Sequence, residues 1–211
     1  MRRMKIGVIG AGHIGSTLAR HFVNAGHEVA ISNSRGPDSL RDLEAELGER
    51  AHAATVDEAA RFGDIVVVSI PFKDYRDVPA DAVAGKVVID TMNYYPQRDG
   101  HYEQLDSGQT TASEMLQEHV PGSFVVKAFN SIRFDSLRDK ARPGAGERNV
   151  AIPISGDDEA AKQKVGDLIA EIGFDAVDAG PLGDGGRKYQ VGAELYGAEL
   201  PSAELAERLG A

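Results

Sequence analysis

The chain has 211 residues, no cysteine and a formal net charge of -10 at pH 7, with a sequence pI near 5.1. This length suits one domain with at most a small appendage, and the missing cysteines exclude disulfides, thiolate metal sites and a cysteine nucleophile. The acidic balance argues against nucleic acid or an anionic membrane as the main partner, because both attract basic surface. We expect a cytoplasmic protein without a membrane span or a signal peptide: no apolar run approaches about 20 residues, and the basic start runs directly into a strand.

Apolar runs alternate with amphipathic stretches along the chain. The predicted strands are MKIGVI (4–9), HEVAIS (27–32), DIVVVSI (64–70), KVVID (86–90), SFVVKAF (123–129), NVAIPIS (149–155) and FDAVDAG (174–180). The predicted helices are STLARHFVNAG (16–26), PDSLRDLEAELG (37–48), VDEAARF (56–62) and DEAAKQKVGDLIAEIG (158–173). Segments 96–109 and 138–148 are predicted loops. Strands that alternate with helices indicate an α/β fold with a mostly parallel sheet.

The sequence GAGHIG (10–15) follows the first strand and opens the first helix. In this context each glycine has its own structural role. Gly10 permits a tight turn, Gly12 lets the backbone approach a pyrophosphate, and Gly15 lets the helix pack closely on the strand. The helix N-terminus also offers free N–H groups to phosphates. We therefore predict a dinucleotide site that includes His13 and Ile14 as well. The alternative is a glycine-rich turn that binds nothing, with a purely backbone role for His13.

The second strand ends in SNSRGP (32–37), where dinucleotide-binding folds often place an acidic residue on the ribose. An acid there favours NAD, whereas a nearby arginine accommodates the 2′-phosphate of NADP. Asn33 and Ser34 remove the repulsion, and Arg35 supplies a planar cation that can pair with phosphate. If Pro37 begins a helix, the N–H groups that follow it add a favourable dipole. These residues predict NADP rather than NAD; the alternative is a solvated surface arginine.

Small polar groups and aromatic rings follow three other strands. The carboxyl ends of parallel strands meet at one edge of the sheet, where ligands of open α/β folds bind, and this mixture suits a flat heteroaromatic ring. No cluster of histidines and carboxylates predicts a metal, and no nucleophile–base pair is evident. Each aromatic ring taken alone is equally compatible with core packing. The predicted cofactor contacts here are Ser69, Ile70, Pro71, Phe72, Asn93, Ala128, Phe129 and Asn130.

Six segments together resemble the NADPH-dependent F420 reductases (F420:NADP oxidoreductases) and related small bacterial NADP-binding oxidoreductases. These are KIGVIGAGHIGSTLA, SNSRGP, DIVVVSIPF, VVIDTMNYY, VVKAFNSI and ISGDDEAAKQKVGDLIAEIGFDAVDAGPL. The resemblance implies a Rossmann-type, doubly wound domain over residues 1–180, a C-terminal extension over 181–211 that packs on the same unit, and a homodimer. It also implies that the glycine loop and Ser34 and Arg35 hold NADPH, and that Ile70, Pro71 and Ala128 line the nicotinamide.

The resemblance predicts an oxidoreductase that transfers hydride between NADPH and F420, a deazaflavin, or a flavin-type acceptor. Such a transfer needs alignment of two heterocycles rather than a catalytic side chain, so no catalytic residue is predicted. The tail after residue 182 departs from the archaeal F420 enzymes, which leaves the acceptor open. One alternative is reduction of a small carbonyl or imine, for which Lys127, Tyr94 or Tyr95 would have to donate a proton. Another is a non-catalytic NADP-binding sensor.

Overall fold

One eight-stranded sheet organises the part of the chain described by the structure, which is a computed structural model covering residues 3–144 and 150–210. The spatial order is β3-β2-β1-β4-β5-β6-β7-β8, and every neighbouring pair is parallel except β6 with β7. The strands are β1 (Lys5–Ile9), β2 (Glu28–Ser32), β3 (Ala51–Ala54), β4 (Ile65–Val68), β5 (Val87–Asp90), β6 (Phe124–Lys127), β7 (Ala151–Gly156) and β8 (Asp175–Asp178). The predicted doubly wound, mostly parallel α/β fold is confirmed.

Helices cover both faces of this sheet. Successive residues of a strand point to opposite faces: Val67 belongs to the apolar cluster that contains α1 and α9, whereas Val66 and Val68 belong to the cluster that contains α7. None of the helices within the described ranges is long and apolar enough to cross a membrane. The helices are α1 (His13–Asn24), α2 (Arg41–Leu47), α3 (Val56–Phe62), α4 (Ala80–Val83), α5 (Pro96–Asp99), α6 (Glu103–Asp106), α7 (Ala112–His119), α8 (Phe134–Asp139), α9 (Glu159–Glu171), α10 (Leu182–Arg187) and α11 (Ser202–Leu209).

Several predicted boundaries change in the structure. Helix α1 begins at His13 rather than at residue 16 because the glycine loop itself enters the first helical turn. The stretch 37–48 divides into a 3-10 turn, Pro37–Leu40, and α2. The predicted loop 96–109 contains α5 and α6, the predicted loop 138–148 begins within α8, and strand β3 was not predicted. Residues 145–149, from that second loop and the start of the next predicted strand, lie outside the described residues.

The C-terminal stretch packs against the last strands of the sheet. Tyr189 is fully buried, and its hydroxyl group donates to the backbone oxygen of Lys127 at 3.0 Å and lies 2.8 Å from Ser155 Oγ. Leu205 and Leu209 of α11 join Tyr189 in a separate apolar cluster with Val177 of β8. The tail therefore adds a third, smaller core beside the sheet, while its separation from the main unit at residue 180 stays a prediction.

Phe22 provides a test of this packing. The side chain lies on α1, is fully buried and belongs to the main apolar cluster, so Phe22→Ala should lower the free energy of unfolding by about 3–5 kcal/mol. Phe124→Ala is the matched control, because that ring is 43% exposed and should cost less than half as much. Denaturant unfolding of both variants measures the difference, and equal losses would contradict the described core.

Candidate functional site

The candidate site lies where the strand order reverses beside β1. Strand β1 has β2 on one side and β4 on the other, and crevices that bind ligands in open α/β sheets form at such a reversal, beyond the carboxyl ends of the strands. Two backbone hydrogen bonds close the sheet at this point: Gly10 N–H donates to Ser32 O at 2.9 Å, and Ser69 N–H donates to Ile9 O at 2.8 Å. The glycine loop, the SNSRGP corner and the end of β4 therefore meet at one edge.

The three glycines of the loop have different surroundings. A Cβ atom on Gly10 would lie 2.1 Å from Ser69 O, and the φ angle of Gly10 is +104°, which disfavours any other residue. A Cβ atom on Gly15 would lie 1.9 Å from Gly10 O. No atom lies within 4 Å of a Cβ built on Gly12. Gly10 and Gly15 are thus required by internal packing, whereas Gly12 leaves open space above the backbone. We call this open space above the Gly12 backbone the cradle, and it fits the close approach of a pyrophosphate.

Helix α1 starts at the bottom of this cradle. Its N-cap residue, Gly12, has no side chain to cap the first turn, and no acidic residue lies in that turn. The orphan N–H groups and the helix dipole therefore favour an anion at this position. The exposed His13 ring stacks on Phe134 with ring centroids 4.5 Å apart, so the structure gives His13 a packing partner at the rim of the site.

A cleft of about 710 Å³ extends from the glycine loop to the SNSRGP corner. It brings together Gly10 and Gly12 of the loop with Ser69, Ile70 and Pro71, all of which were predicted site residues. Asn33, Ser34 and Arg35 of the SNSRGP corner also line this cleft, although they are distant from the glycine loop in sequence. The lining residues are Ile9, Gly10, Ala11, Gly12, Asn33, Ser34, Arg35, Val56, Ser69, Ile70, Pro71, Asp74 and Asp77.

Asn33 holds the shape of the corner. Its Oδ1 accepts the Arg35 backbone N–H at 2.9 Å, and its Nδ2 donates to Ser39 Oγ at 2.9 Å. Within the described part of the chain, the Arg35 guanidinium makes no hydrogen bond or ion pair and is exposed in the cleft. A free guanidinium at a rigid corner is available to an incoming phosphate.

The predicted contribution of the N–H groups after Pro37 needs correction. Ser39 N–H donates to Gly36 O at 3.2 Å because the segment forms a 3-10 turn, so this donor is not free. Asp38, also in this turn, would repel an anion, but its exposed carboxylate pairs with Arg41 at 2.5 Å, which reduces that repulsion. The corner therefore offers a cation mainly through Arg35.

Two acidic residues in the cleft were not predicted from the sequence. Asp74 and Asp77 belong to the 3-10 segment Phe72–Asp77, and both line the same cleft as Arg35. They follow β4 by several residues, so no motif or strand-end position singled them out. Their carboxylates oppose an anion and favour hydroxyl groups, which makes Arg35 the decisive charge for a phosphate.

A second lobe of about 320 Å³ adjoins the first. Both lobes are lined by Gly12, Ser69, Ile70 and Pro71, so they lie next to each other at the sheet edge, and together they are called the groove. The second lobe combines apolar walls with amide, hydroxyl and guanidinium groups. Its remaining lining residues are His13, Ile14, Thr91, Met92, Asn93, Tyr95 and Arg98.

Arg98 also lines the second lobe and was not predicted as a site residue, because it lies in a segment predicted to be a loop. It donates to Asn93 O at 2.7 Å and forms two hydrogen bonds with the buried Asp99 carboxylate, at 2.8 and 2.9 Å. Burial opposes ionisation of Asp99, but the Arg98 hydrogen bonds and the Tyr95 N–H hold its pKa below the usual value. The ion pair fixes helix α5 and thereby the floor of the lobe.

Four predicted contacts are buried instead of lining either lobe. The Phe72 ring stacks on Tyr75 in the core at 4.9 Å, and Ala128 and Phe129 belong to the main apolar cluster. Phe129 is nevertheless unusual, since it is the only described non-glycine residue with a positive φ, +62°. Asn130 is 4% exposed and donates to Tyr189 O at 3.2 Å. These side chains pack in the core, so the prediction that Phe72 and Phe129 contact the cofactor gains no support from the linings of the two lobes.

A tyrosine from the C-terminal stretch contacts two residues that line the second lobe. The Tyr196 hydroxyl lies 2.5 Å from the Tyr95 hydroxyl and accepts a hydrogen bond from Asn93 Nδ2 at 3.4 Å. Burial raises the pKa of Tyr196, and its hydrogen bond with Tyr95 acts in the same direction. The tail thus supports the lobe through a contact between residues 101 positions apart in sequence, which no local pattern predicts.

The described residues hold no group of three or more histidine, aspartate or glutamate side chains placed to bind a metal. The groove instead offers a glycine cradle, a helix N-terminus, a free guanidinium and an apolar lobe with amides. This donor set fits a dinucleotide.

Comparisons with known proteins agree with this geometry. Residues 5–94 match the family described as NADP oxidoreductase, coenzyme F420-dependent. A hypothetical protein, SMa0349 from Sinorhizobium meliloti, is 31% identical over 95% of this chain and 96% of its own, with a TM-score of 0.82. A protein named as a candidate F420-dependent NADP-reductase from Arthrobacter sp. FB24 is 28% identical over 84% of this chain and 85% of its own, with a TM-score of 0.72.

More distant similarity extends to an imine reductase from Pseudomonas sp., which is 18% identical over 85% of this chain and 56% of its own, with a TM-score of 0.61. At this identity the likeness concerns the fold alone. No significant match was found among curated proteins. The family match over residues 5–94 and these two relatives confirm the resemblance to the F420-dependent NADP oxidoreductases that was seen in the sequence, and the chain is an NADP-dependent oxidoreductase.

Proposed function

We propose that the chain transfers hydride between NADPH and a deazaflavin or flavin-type acceptor. The observation that carries this proposal is the pair of adjoining lobes, which share the open Gly12 position, with the unpaired Arg35 guanidinium lining the first lobe. Two adjoining lobes suit a dinucleotide, which has two ring systems joined by a pyrophosphate. The family match over residues 5–94 supports the NADP part of the proposal.

Each part of NADPH has a proposed place. The pyrophosphate meets Gly12 and the first-turn N–H groups of α1, at His13 and Ile14. The 2′-phosphate meets Arg35, with Asn33 and Ser34 beside it. The nicotinamide enters the second lobe, against Ile14, Ile70 and Pro71.

Bound NADPH supplies the hydride, and the residues of the chain position the reacting rings. Alignment at about 3–3.5 Å accounts for most of what such a transfer requires, and the second lobe offers apolar walls from Ile14, Ile70 and Pro71. The similarity to the candidate F420-dependent NADP-reductase from Arthrobacter sp. supports F420 as the acceptor. A homodimer, a cytoplasmic location and an extension that begins at residue 181 remain predictions that accompany this proposal.

A second candidate function is reduction of a small carbonyl or imine. The observation in its favour is the Tyr95 hydroxyl, which lines the second lobe and lies 2.5 Å from the Tyr196 hydroxyl, so a proton donor is present. The other two sequence candidates are less suited. Lys127 is 2% exposed and lines neither lobe, and the Tyr94 hydroxyl donates to Asp106 at 2.7 Å.

The acceptor can be identified by turnover. Purified protein with NADPH is offered F420, FMN, FAD, a cyclic imine or no acceptor, and absorbance at the NADPH and F420 bands is followed. We expect turnover with F420 or a flavin and none with the imine. Turnover with the imine alone would establish the second candidate, and tight NADPH binding without any turnover would contradict both and favour an NADP-binding sensor.

Arg35→Ala tests the choice of nucleotide. Loss of a charge-assisted contact worth about 1.5–3 kcal/mol should weaken NADPH binding roughly 10- to 100-fold and leave NADH binding within about twofold. Arg41→Ala is the control, because Arg41 is also an exposed arginine near the corner but pairs with Asp38 outside the cleft. Calorimetric titration measures both nucleotides; equal losses for NADPH and NADH would show that Arg35 does not contact the 2′-phosphate.

Gly12→Ala tests the cradle. Nothing lies within 4 Å of the new methyl group and φ at Gly12 is -73°, so the melting temperature should not change while NADPH binding falls at least tenfold. Gly15→Ala should instead destabilise the fold, because its Cβ would lie 1.9 Å from Gly10 O. Gly166→Ala in α9 is the neutral control, with its nearest atom at 3.6 Å. Unchanged NADPH affinity in Gly12→Ala would refute the proposed pyrophosphate position.

A further inference from the structure

A further cavity of about 220 Å³ is next to the second lobe, and the proposed hydride transfer does not use it. Asn93 is the residue that lines both the cavity and the lobe. Its walls come from three distant parts of the chain: the region after β5, the end of β6 and the C-terminal stretch. The polar side chains Asn93, Thr110, Lys127 and Gln190 give these walls their hydrogen-bonding groups.

Lys127 is a buried cation without a direct counter-ion. It is 2% exposed, and its Nζ donates to Ser113 Oγ at 3.1 Å. The carboxylate of Asp90 is reached only through Ser113, whose hydroxyl group donates to Asp90 Oδ2 at 2.7 Å. Within residues 3–144 and 150–210, no carboxylate oxygen lies within 4.0 Å of Lys127 Nζ. An ammonium group has three donors, so two of them face no protein acceptor.

Burial of the Lys127 ammonium group destabilises the fold unless a ligand supplies the missing hydrogen-bond acceptors or counter-charge. Burial of an unpaired charge is strongly unfavourable, and burial lowers the pKa of Lys127, although the charge of Asp90 acts in the opposite direction. The aliphatic stem passes close to Gly186, where an added Cβ atom would lie 3.2 Å from Lys127 Cδ. An apolar residue would occupy the same volume without this cost, so the amine points to a partner in the cavity.

The polar lining indicates the chemistry of that partner. Within the described part of the chain, the Gln190 side-chain amide has no hydrogen-bond partner, so it is available to a ligand. Thr110 and Asn93 add further polar atoms to the walls. The volume corresponds to about seven water molecules at roughly 30 Å³ each, which is too small for a dinucleotide or a deazaflavin but sufficient for a short organic acid.

We propose that this cavity is a binding site for a small monocarboxylate, whose carboxylate group pairs with the Lys127 ammonium group. The carboxylate supplies the missing counter-ion, and the Gln190 amide provides a second hydrogen bond. The site is distinct from the NADPH groove and does not depend on which acceptor receives the hydride.

Acetate and acetamide test this proposal, since they have the same shape but differ in charge. Titration of ¹⁵N-labelled protein at constant ionic strength should show that acetate shifts the amide signals of Thr110, Gln190 and Val191 with millimolar affinity. Acetamide should bind at least tenfold more weakly. Equal responses to the two probes, or no shift with acetate up to about 100 mM, would overturn the proposal without any variant being needed.

Lys127→Met keeps the volume and removes the charge, so it should weaken acetate binding at least tenfold. Lys86→Met is the matched control: Lys86 also has a pKa lowered by burial, but it donates to the carbonyl oxygens of Ala60 and Arg61 and does not line the cavity. NADPH affinity checks that both variants are folded. Retention of acetate binding in Lys127→Met, or an equal loss in Lys86→Met, would contradict the assigned pairing.

Discussion

The close packing of the glycine loop between α1 and the end of β4 is the constraint on which the groove depends. A Cβ atom on Gly15 or Gly10 would lie about 2 Å from a backbone oxygen, at 1.9 and 2.1 Å respectively, so neither position accepts a side chain without displacement of the backbone. That contact brings the helix N-terminus to the sheet edge, where β1 separates β2 from β4. Gly12 is free of the constraint, and this freedom leaves the cradle open.

Charge selection in the groove works against the overall charge of the protein. The chain has a net charge of -10, and the cleft itself contains Asp74 and Asp77. An anionic ligand must therefore be attracted by short-range donors: the first-turn N–H groups of α1 and the Arg35 guanidinium, which Asn33 holds in position through the backbone. Lys127 shows the same principle in the buried cavity, where a local cation has only an indirect acidic neighbour.

Local patterns predicted most strands and the glycine loop, because apolar runs and glycine spacing report directly on the backbone. Strand β3 was not predicted, because its sequence AHAA lacks the β-branched residues that are typical of strands. Phe72 and Phe129 follow strands as expected, but both rings pack in apolar clusters, because apolar rings gain more from the core than from a solvent-exposed groove wall. Arg98 and Asp74 line the groove from turns, and Tyr196 supports it through long-range contacts with Tyr95 and Asn93; no local sequence pattern marks these positions.

The central claim is that one groove holds NADPH with its 2′-phosphate at Arg35 and its pyrophosphate at Gly12. A crystal structure of the complex with NADP⁺ tests it most directly. The account predicts phosphate oxygens about 3 Å from the Arg35 guanidinium and from the first N–H groups of α1. A nucleotide whose ribose hydroxyls bond to Asp74 or Asp77 while Arg35 points to solvent, or one bound outside the groove, would contradict it.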